Sequence, residues 1–216
     1  MSSLKKFSFI FLVFIIGSFI GFVWENVFTI IKGAYHLRQG LLYEPLIPIY
    51  GIGTLIFYFI YSKTEFGDNK LLCLLKVFLL AFLVGGITEY FCSFFQEKIF
   101  GTISWNYSHM KFDLNGRTSL LHSSFWGLMG IFFYYLIVPC LKKVNLLLNH
   151  KALQVCTLLL SICFLCDVSI SFVACYRRDE RRNNIENDTP LAVFLDSYYT
   201  DEVIDRVYNN AVAVNK

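Results

Sequence analysis

Five long apolar runs, broken by charged or Pro/Gly-rich segments, limit what this chain can fold into. They cover residues 7–31, 46–62, 71–95, 120–141 and 152–176. A helix needs roughly 20 apolar residues to cross the hydrocarbon of a bilayer, and backbone in lipid must satisfy its own hydrogen bonds, which selects helices or closed barrels. The run lengths select helices. The second run is short, and Pro45, Pro48, Gly51 and Gly53 crowd its start. Three runs each contain one acid: Glu25, Glu89 and Asp167. A carboxylate at the centre of a spanning helix costs at least about 2.5–3.5 kcal/mol, so three of them mark a polar site between helices.

Composition agrees with a membrane protein. Hydrophobic residues make up 56% and charged residues 16% of the 216, where a soluble domain carries about a quarter charged. A net charge of +3, dispersed along the chain, gives no basis for nucleic-acid binding. The seven cysteines lie mostly within apolar runs, where Cys is a small hydrophobe. They do not form a disulfide framework. Cys163 and Cys166 form a CxxC before Asp167; small side chains packing in a lipid-embedded helix are the plainer reading than a redox or metal pair. The first run follows Lys5 and Lys6 but is longer than the core of a signal peptide, lacks a small-residue cleavage site and holds Glu25. It is expected to stay as a spanning helix.

These features predict an all-α, polytopic membrane protein. Residues 1–176 form a five-helix transmembrane domain, and 177–216 a charged C-terminal tail with one or two short helices. With five spans the termini lie on opposite faces. Call the N-terminal face A and the other B. The first, third and fifth spans then run from A to B. At 1.5 Å per residue, Glu25 and Glu89 lie roughly 27 Å along their helices and Asp167 more than roughly 21 Å along its own. All three acids fall in the B-side half. The two long connections, 32–45 and 96–119, are also on side B, so side B is expected to carry the function.

The first connection holds Arg38, Tyr43 and Glu44 and leads to Tyr50 through a proline- and glycine-rich entrance. That entrance is either a rigid elbow or a broken helix start of the kind tolerated where protein or water satisfies the backbone. The second connection holds Trp105 and Tyr107, then Asn115-Gly116, a turn signal. Trp105 and Tyr107 also suit an ordinary interfacial belt. Arg117 stands at the start of the fourth span, followed by His122 and Trp126. It reads either as a snorkelling anchor or as a partner of the buried acids, with Glu25, Glu89 and Arg117 expected to share one cluster. The second and fourth helices present their N-termini on side B, where free N–H groups favour anions or the acids themselves. The candidate polar site is therefore Glu25, Arg38, Tyr43, Tyr50, Glu89, Trp105, Tyr107, Asn115, Arg117 and Asp167, with no metal and no catalytic residue assigned.

Gly21-Phe22-Val23-Trp24-Glu25, Tyr43-Glu44-Pro45-Leu46-Ile47-Pro48-Ile49-Tyr50-Gly51, Glu89, Trp105-Asn106-Tyr107-Ser108 and Leu114-Asn115-Gly116-Arg117 follow in this order. Over residues 10–175 the chain thereby resembles the bacterial ABC-transporter type IV (CmpB-like) family of small integral membrane proteins. Gln39, Glu44 and Asn106 stand where the family pattern has Arg, Gly and Asp. The resemblance implies a permease-like component in the bacterial cytoplasmic membrane. Its expected partners are the lipid bilayer and separate ATP-binding subunits or a second copy of the chain. No GxxxxGK[ST] loop occurs, so this chain is not itself the ATPase.

Three functions fit the residues. The acids line a path for a small solute or cation; or the chain is a structural or regulatory partner of another membrane protein; or it is a membrane-embedded enzyme on a lipid-phosphate substrate. HExxH and GxSxG are both missing, so the balance leans away from an enzyme, and no cofactor is expected. Orientation rests on Lys and Arg near span ends. Side B carries Lys32, Arg38, Lys98, Lys111, Arg117, Arg177, Arg178, Arg181 and Arg182; side A carries Lys5, Lys6, Lys63, Lys70, Lys142, Lys143 and Lys151. The dense cluster after the fifth span favours a cytoplasmic tail.

Overall fold

The computed structural model describes residues 2–31, 33, 43–64 and 66–214. The chain is an all-α membrane protein, with 74% of the described residues helical. Its long helices are α1 (Ser3–Ile31), α3 (Lys70–Phe100), α4 (Leu120–Phe132) continuing into α5 (Val138–Leu147), and α6 (Lys151–Arg182). Each of these four is long and apolar enough to cross a membrane, and α2 (Pro48–Tyr61) is a fifth, shorter apolar helix. At 1.5 Å per residue α2 is roughly 21 Å long, short of the roughly 30 Å hydrocarbon core.

The sequence explains where α2 begins. Pro48 has no N–H and sits at the first helical turn, where none is needed. The apolar run starts at Leu46, but the helix starts two residues later because Ile47 is extended. The elbow is tied to α1, as Ile47 donates its backbone N–H to the Ser18 carbonyl at 3.1 Å.

Pro139 does not end the fourth helix, which runs on to Leu147. A proline ring clashes with the carbonyl four residues before it. Here the helix widens into a π turn at Phe133–Ile137 immediately before the proline, a device that admits the ring without breaking the rod. The structure thus corrects the expected end at residue 141.

On α3 every fourth residue from Leu71 to Phe95 is a large exposed apolar side chain, a stripe suited to lipid. The opposing stripe, Cys73, Val77, Ala81 and Gly85, is buried and continues into Glu89 and Ser93. Small residues on this stripe let α4 approach closely: Gly85 lies under the Trp126 indole, and Ala81 under Gly130. The same logic joins α1 to α2, where Gly17 faces Thr54 and Gly21 faces the Tyr50 ring. Such small-residue contacts are what bring helices together in lipid, where burial of apolar surface gives no drive. Phe9, Val13, Phe57, Tyr61, Val77, Trp126 and Phe133 fill the centre between these four helices.

Helices α3 and α6 extend beyond the expected limits of their spans, to Phe100 and Arg182. Their projecting ends carry a second, smaller core. Helices α7 (Pro190–Tyr198) and α8 (Asp201–Val207) pack Leu195, Ile204 and Tyr208 against Ala174 and Cys175 of α6. Strand β1 (Thr102–Ile103) pairs antiparallel with β4 (Val212–Ala213), and β2 (Asp113–Leu114) with β3 (Thr118–Ser119). Gly101 ends α3 at φ +59° and abuts the Asp179 side chain, so a Cβ is excluded by conformation and by space.

Contacts at the two ends fix the alternation. On side A, Lys5 Nζ donates to Asn149 Oδ1 at 2.7 Å, joining the start of α1 to the α5–α6 turn. On side B, Val214 N–H donates to the Gly101 carbonyl at 2.9 Å. Topology reporters fused after Lys6 and after Val214 are therefore expected to read opposite faces of the membrane; matching readouts would contradict the five-helix path.

Candidate functional site

The buried stripe of α3 delivers Glu89 to the B-side half of the bundle at 6% exposure. Its carboxylate is met by neutral donors. Tyr107 Oη donates to Oε1 at 3.0 Å and Thr118 Oγ1 to Oε2 at 2.8 Å, and the Trp126 indole N–H donates as well. Ser123 extends the network at 3.4 Å from Thr118. His122 stacks on Tyr107 with ring centroids 3.6 Å apart and bonds Ser119 Oγ through Nδ1 at 2.9 Å. From α1, Glu25 is close enough to Glu89 for the two carboxylates to interact electrostatically, and it accepts a short hydrogen bond from Tyr50 of α2. The Tyr50 ring lies 5.4 Å from Trp126. An apolar crevice of about 40 Å³, lined by Gly21, Tyr50, Thr54, Phe57 and Trp126 among others, adjoins the pair.

Two sequence segments ten residues apart build the wall of this site. Tyr107 N–H donates to the Gly116 carbonyl at 2.8 Å, and Trp105 Nε1 to the Arg117 carbonyl at 2.8 Å. Asn115 Nδ2 donates to Tyr90 Oη at 3.1 Å. Trp105 and Asn115 thus shape the loop that presents Tyr107 and Thr118.

Arg117 lies elsewhere than expected. Its Nη2 pairs with Glu97 Oε2 at 2.6 Å, and its guanidinium lies 5.5 Å from the ring centres of both Tyr90 and Phe94. Its ion pair is thus with Glu97 rather than with the expected Glu25 or Glu89. The physical reason is that α3 continues past Phe95, which places Glu97 two turns beyond Glu89 at the level of the loop. There the pair keeps partial exposure, 15% and 28%, instead of full desolvation. Glu97 escaped the sequence reading because the apolar run stops before it; the spacing Glu89–Ser93–Glu97 is the signal that carries it.

The structure also separates Asp167 from the Glu25–Glu89 pair. Its oxygens accept the backbone N–H groups of Tyr43 at 3.0 Å and Glu44 at 3.1 Å, and Ser171 Oγ donates to Oδ1 at 3.0 Å. Tyr208 of the tail donates to Ser171 Oγ at 2.8 Å. Burial pushes the Tyr43 phenol up to about 12, with Tyr199 adding to the shift. Burial, then the neighbouring Asp167, push the Glu44 carboxyl above its usual range. Arg38 lies outside the described residues. Among the described residues no group of three or more His, Cys, Asp or Glu side chains gathers as a metal site would need. Cys163 and Cys166 are exposed free thiols.

A bundle of apolar helices, with acids held by hydroxyl and indole donors at one end, defines an integral membrane protein with a one-sided polar site. A family model described as "Putative ABC-transporter type IV" matches residues 12–172, well over half of the chain, and the protein belongs to that family. No curated protein and no solved structure matches it. The matched segment ends within α6, before the tail.

Two outcomes follow from these pairings. In a double-mutant cycle, Arg117→Gln and Glu97→Gln should couple by about 0.5–1 kcal/mol in detergent unfolding, as expected for a partly exposed pair. Arg117→Gln and Glu89→Gln should add; coupling between those two would contradict the pairing. The second concerns the tail. Hydrogen bonds from Arg177 hold the Asp196 carboxyl below its ordinary 3.8, with Arg181 helping. A depressed folded value stabilises the docked tail above the ordinary value and is lost as pH falls through the folded one. Hydrogen exchange in 190–198 should therefore rise below pH about 4 and should rise less in Asp196→Asn.

Proposed function

We propose that this protein is the permease-like membrane component of a transport system whose ATP-binding subunits are separate chains. In this reading residues 1–176 form the transmembrane domain and 177–216 a tail on the cytoplasmic face. The observation that carries the reading is the Glu89 site. Glu89, inside a spanning helix, is met by the neutral donors Tyr107, Thr118 and Trp126, while Arg117 is paired with Glu97. A carboxylate held by neutral donors in a low-dielectric region exerts a negative potential that is little screened. That potential suits a cation or the amino group of a small solute, and intramembrane acids of this kind mark solute or ion paths. Tyr50, Tyr107 and Thr118 orient the carboxylates, and Trp126 closes the apolar side. Family membership supports the link to ATP-binding subunits, and the Arg cluster at the end of α6 supports the cytoplasmic tail.

A second reading, a structural or regulatory membrane partner, is favoured by Asp167, both of whose oxygens are taken by backbone donors of the elbow. Affinity purification from native membranes separates the two. Under the transport reading an ATP-binding subunit co-purifies with wild type and with Glu89→Gln alike, and only the wild-type complex shows solute-stimulated ATP hydrolysis. Recovery of a different membrane protein in its place would support the second reading and sink the first.

A further inference from the structure

Four arginines end α6, and three of them show how this face handles anions. Arg177 grips Asp196 side-on, with Nε at 3.0 Å from one oxygen and Nη2 at 2.7 Å from the other. Arg181 engages Asp201 through Nε at 3.0 Å and also Asp196 through Nη1 at 2.7 Å. Arg178 differs. Its side chain is 1% exposed, and Nη1 alone is bonded, to Asp205 at 2.8 Å. Its Nε and Nη2 are buried, with no acceptor among the described residues. Those two atoms form the same edge with which Arg177 takes a carboxylate, the geometry in which a guanidinium binds two oxygens of one anion. Arg182 stands alongside with Nη2 3.7 Å from the same Asp205 oxygen. One carboxylate, itself 59% exposed, therefore serves two guanidinium groups.

We propose that Arg178 and Arg182 form a binding site for a phosphate-type anion, which takes the open edge of Arg178 and competes with Asp205 for the pair. A tetrahedral phosphate has oxygens enough for that edge and for Arg182 together, where a single carboxylate serves only part of the set. The site lies at the end of a membrane-spanning helix, where lipid phosphates are at hand, and a free phosphate offers the same chemistry. Asp205 belongs to α8, whose Ile204 is buried in the small core with Cys175 and Tyr208. Anion binding is thus linked to the docking of α8, since the carboxylate it competes with is carried on that helix.

The test uses the full chain in phosphatidylcholine nanodiscs and compares wild type, Asp205→Asn and Arg182→Gln, both changes being at partly exposed side chains. In one arm the discs also contain phosphatidylglycerol, and lipid retained on the protein is read by native mass spectrometry. In the other, inorganic phosphate is titrated calorimetrically into phosphatidylcholine discs. Removing the competing carboxylate should raise binding several-fold and removing Arg182 should lower it several-fold. That order in the lipid arm identifies a headgroup site, and in the phosphate arm a site for free anion. If neither arm gives that order, the proposal is overturned.

Discussion

Asp167 ties together three parts of the chain: the elbow, α6 and the tail. Its two oxygens hold the backbone of Tyr43 and Glu44, so the elbow before α2 is fastened to α6. Through Ser171 it reaches Tyr208, so the tail is fastened to the same point. The elbow needs such an anchor. Its N–H groups precede a helix that starts late at Pro48, and backbone at membrane depth without a partner costs several kcal/mol per group. A side-chain amide would carry only one acceptor oxygen for the donors that converge here, whereas a carboxylate has two. The acid in the fifth span thus answers a backbone requirement created by the prolines of the first loop.

With the elbow fixed, α2 is held against α1 and Tyr50 is directed at Glu25. The close contacts of Gly17 and Gly21 then set how near α1 comes to α2 and, through the Tyr50–Trp126 ring contact, how α4 meets both. Glu89 reaches the same region on the small-residue stripe of α3. The hydroxyl groups that meet it come from a loop whose own shape depends on Trp105 and Gly116. The polar site is therefore the junction of α1, α2, α3, α4 and the 101–119 loop, and no single element contains it.

How much of this was legible follows from the physics each residue answers to. The apolar runs are readable because lipid demands length and hydrophobicity in one contiguous segment. The special status of Glu25, Glu89 and Asp167 is readable because a charge in such a segment needs a reason. Their grouping is not readable from depth alone: depth places three acids at one level, but the rotation of each helix decides which of them meet. Asp167 meets the elbow and the Ser171–Tyr208 pair, while Glu25 meets Tyr50 and Glu89 meets Tyr107, Thr118 and Trp126. Arg117 likewise depends on how far α3 continues after its apolar character ends. The helix keeps its hydrogen-bond ladder through Gln96-Glu97-Lys98 because it projects out of the bundle, where polar residues are no obstacle.

The tail shows the same limit from the opposite direction. Its weak periodicity suggests surface helices, which fits α8 with Glu202, Asp205 and Arg206 exposed, whereas α7 exposes Leu191, Val193, Phe194 and Tyr198. What holds them is a charge pattern set at a distance: Arg177 and Arg181 reach across to Asp196 and Asp201. The pairs are 15–20 residues apart, well beyond the three- or four-residue spacing that a helix face makes visible. Arg177 and Arg181, which would otherwise be available to headgroup phosphates, are instead occupied by carboxylates of the chain itself. The positive end of α6 is thereby largely neutralised in place, and the second core of Ala174, Cys175, Ile204 and Tyr208 assembles on top of it. The family match stops short of this region; the tail is built onto the projecting end of the matched bundle and keyed to it through Asp167.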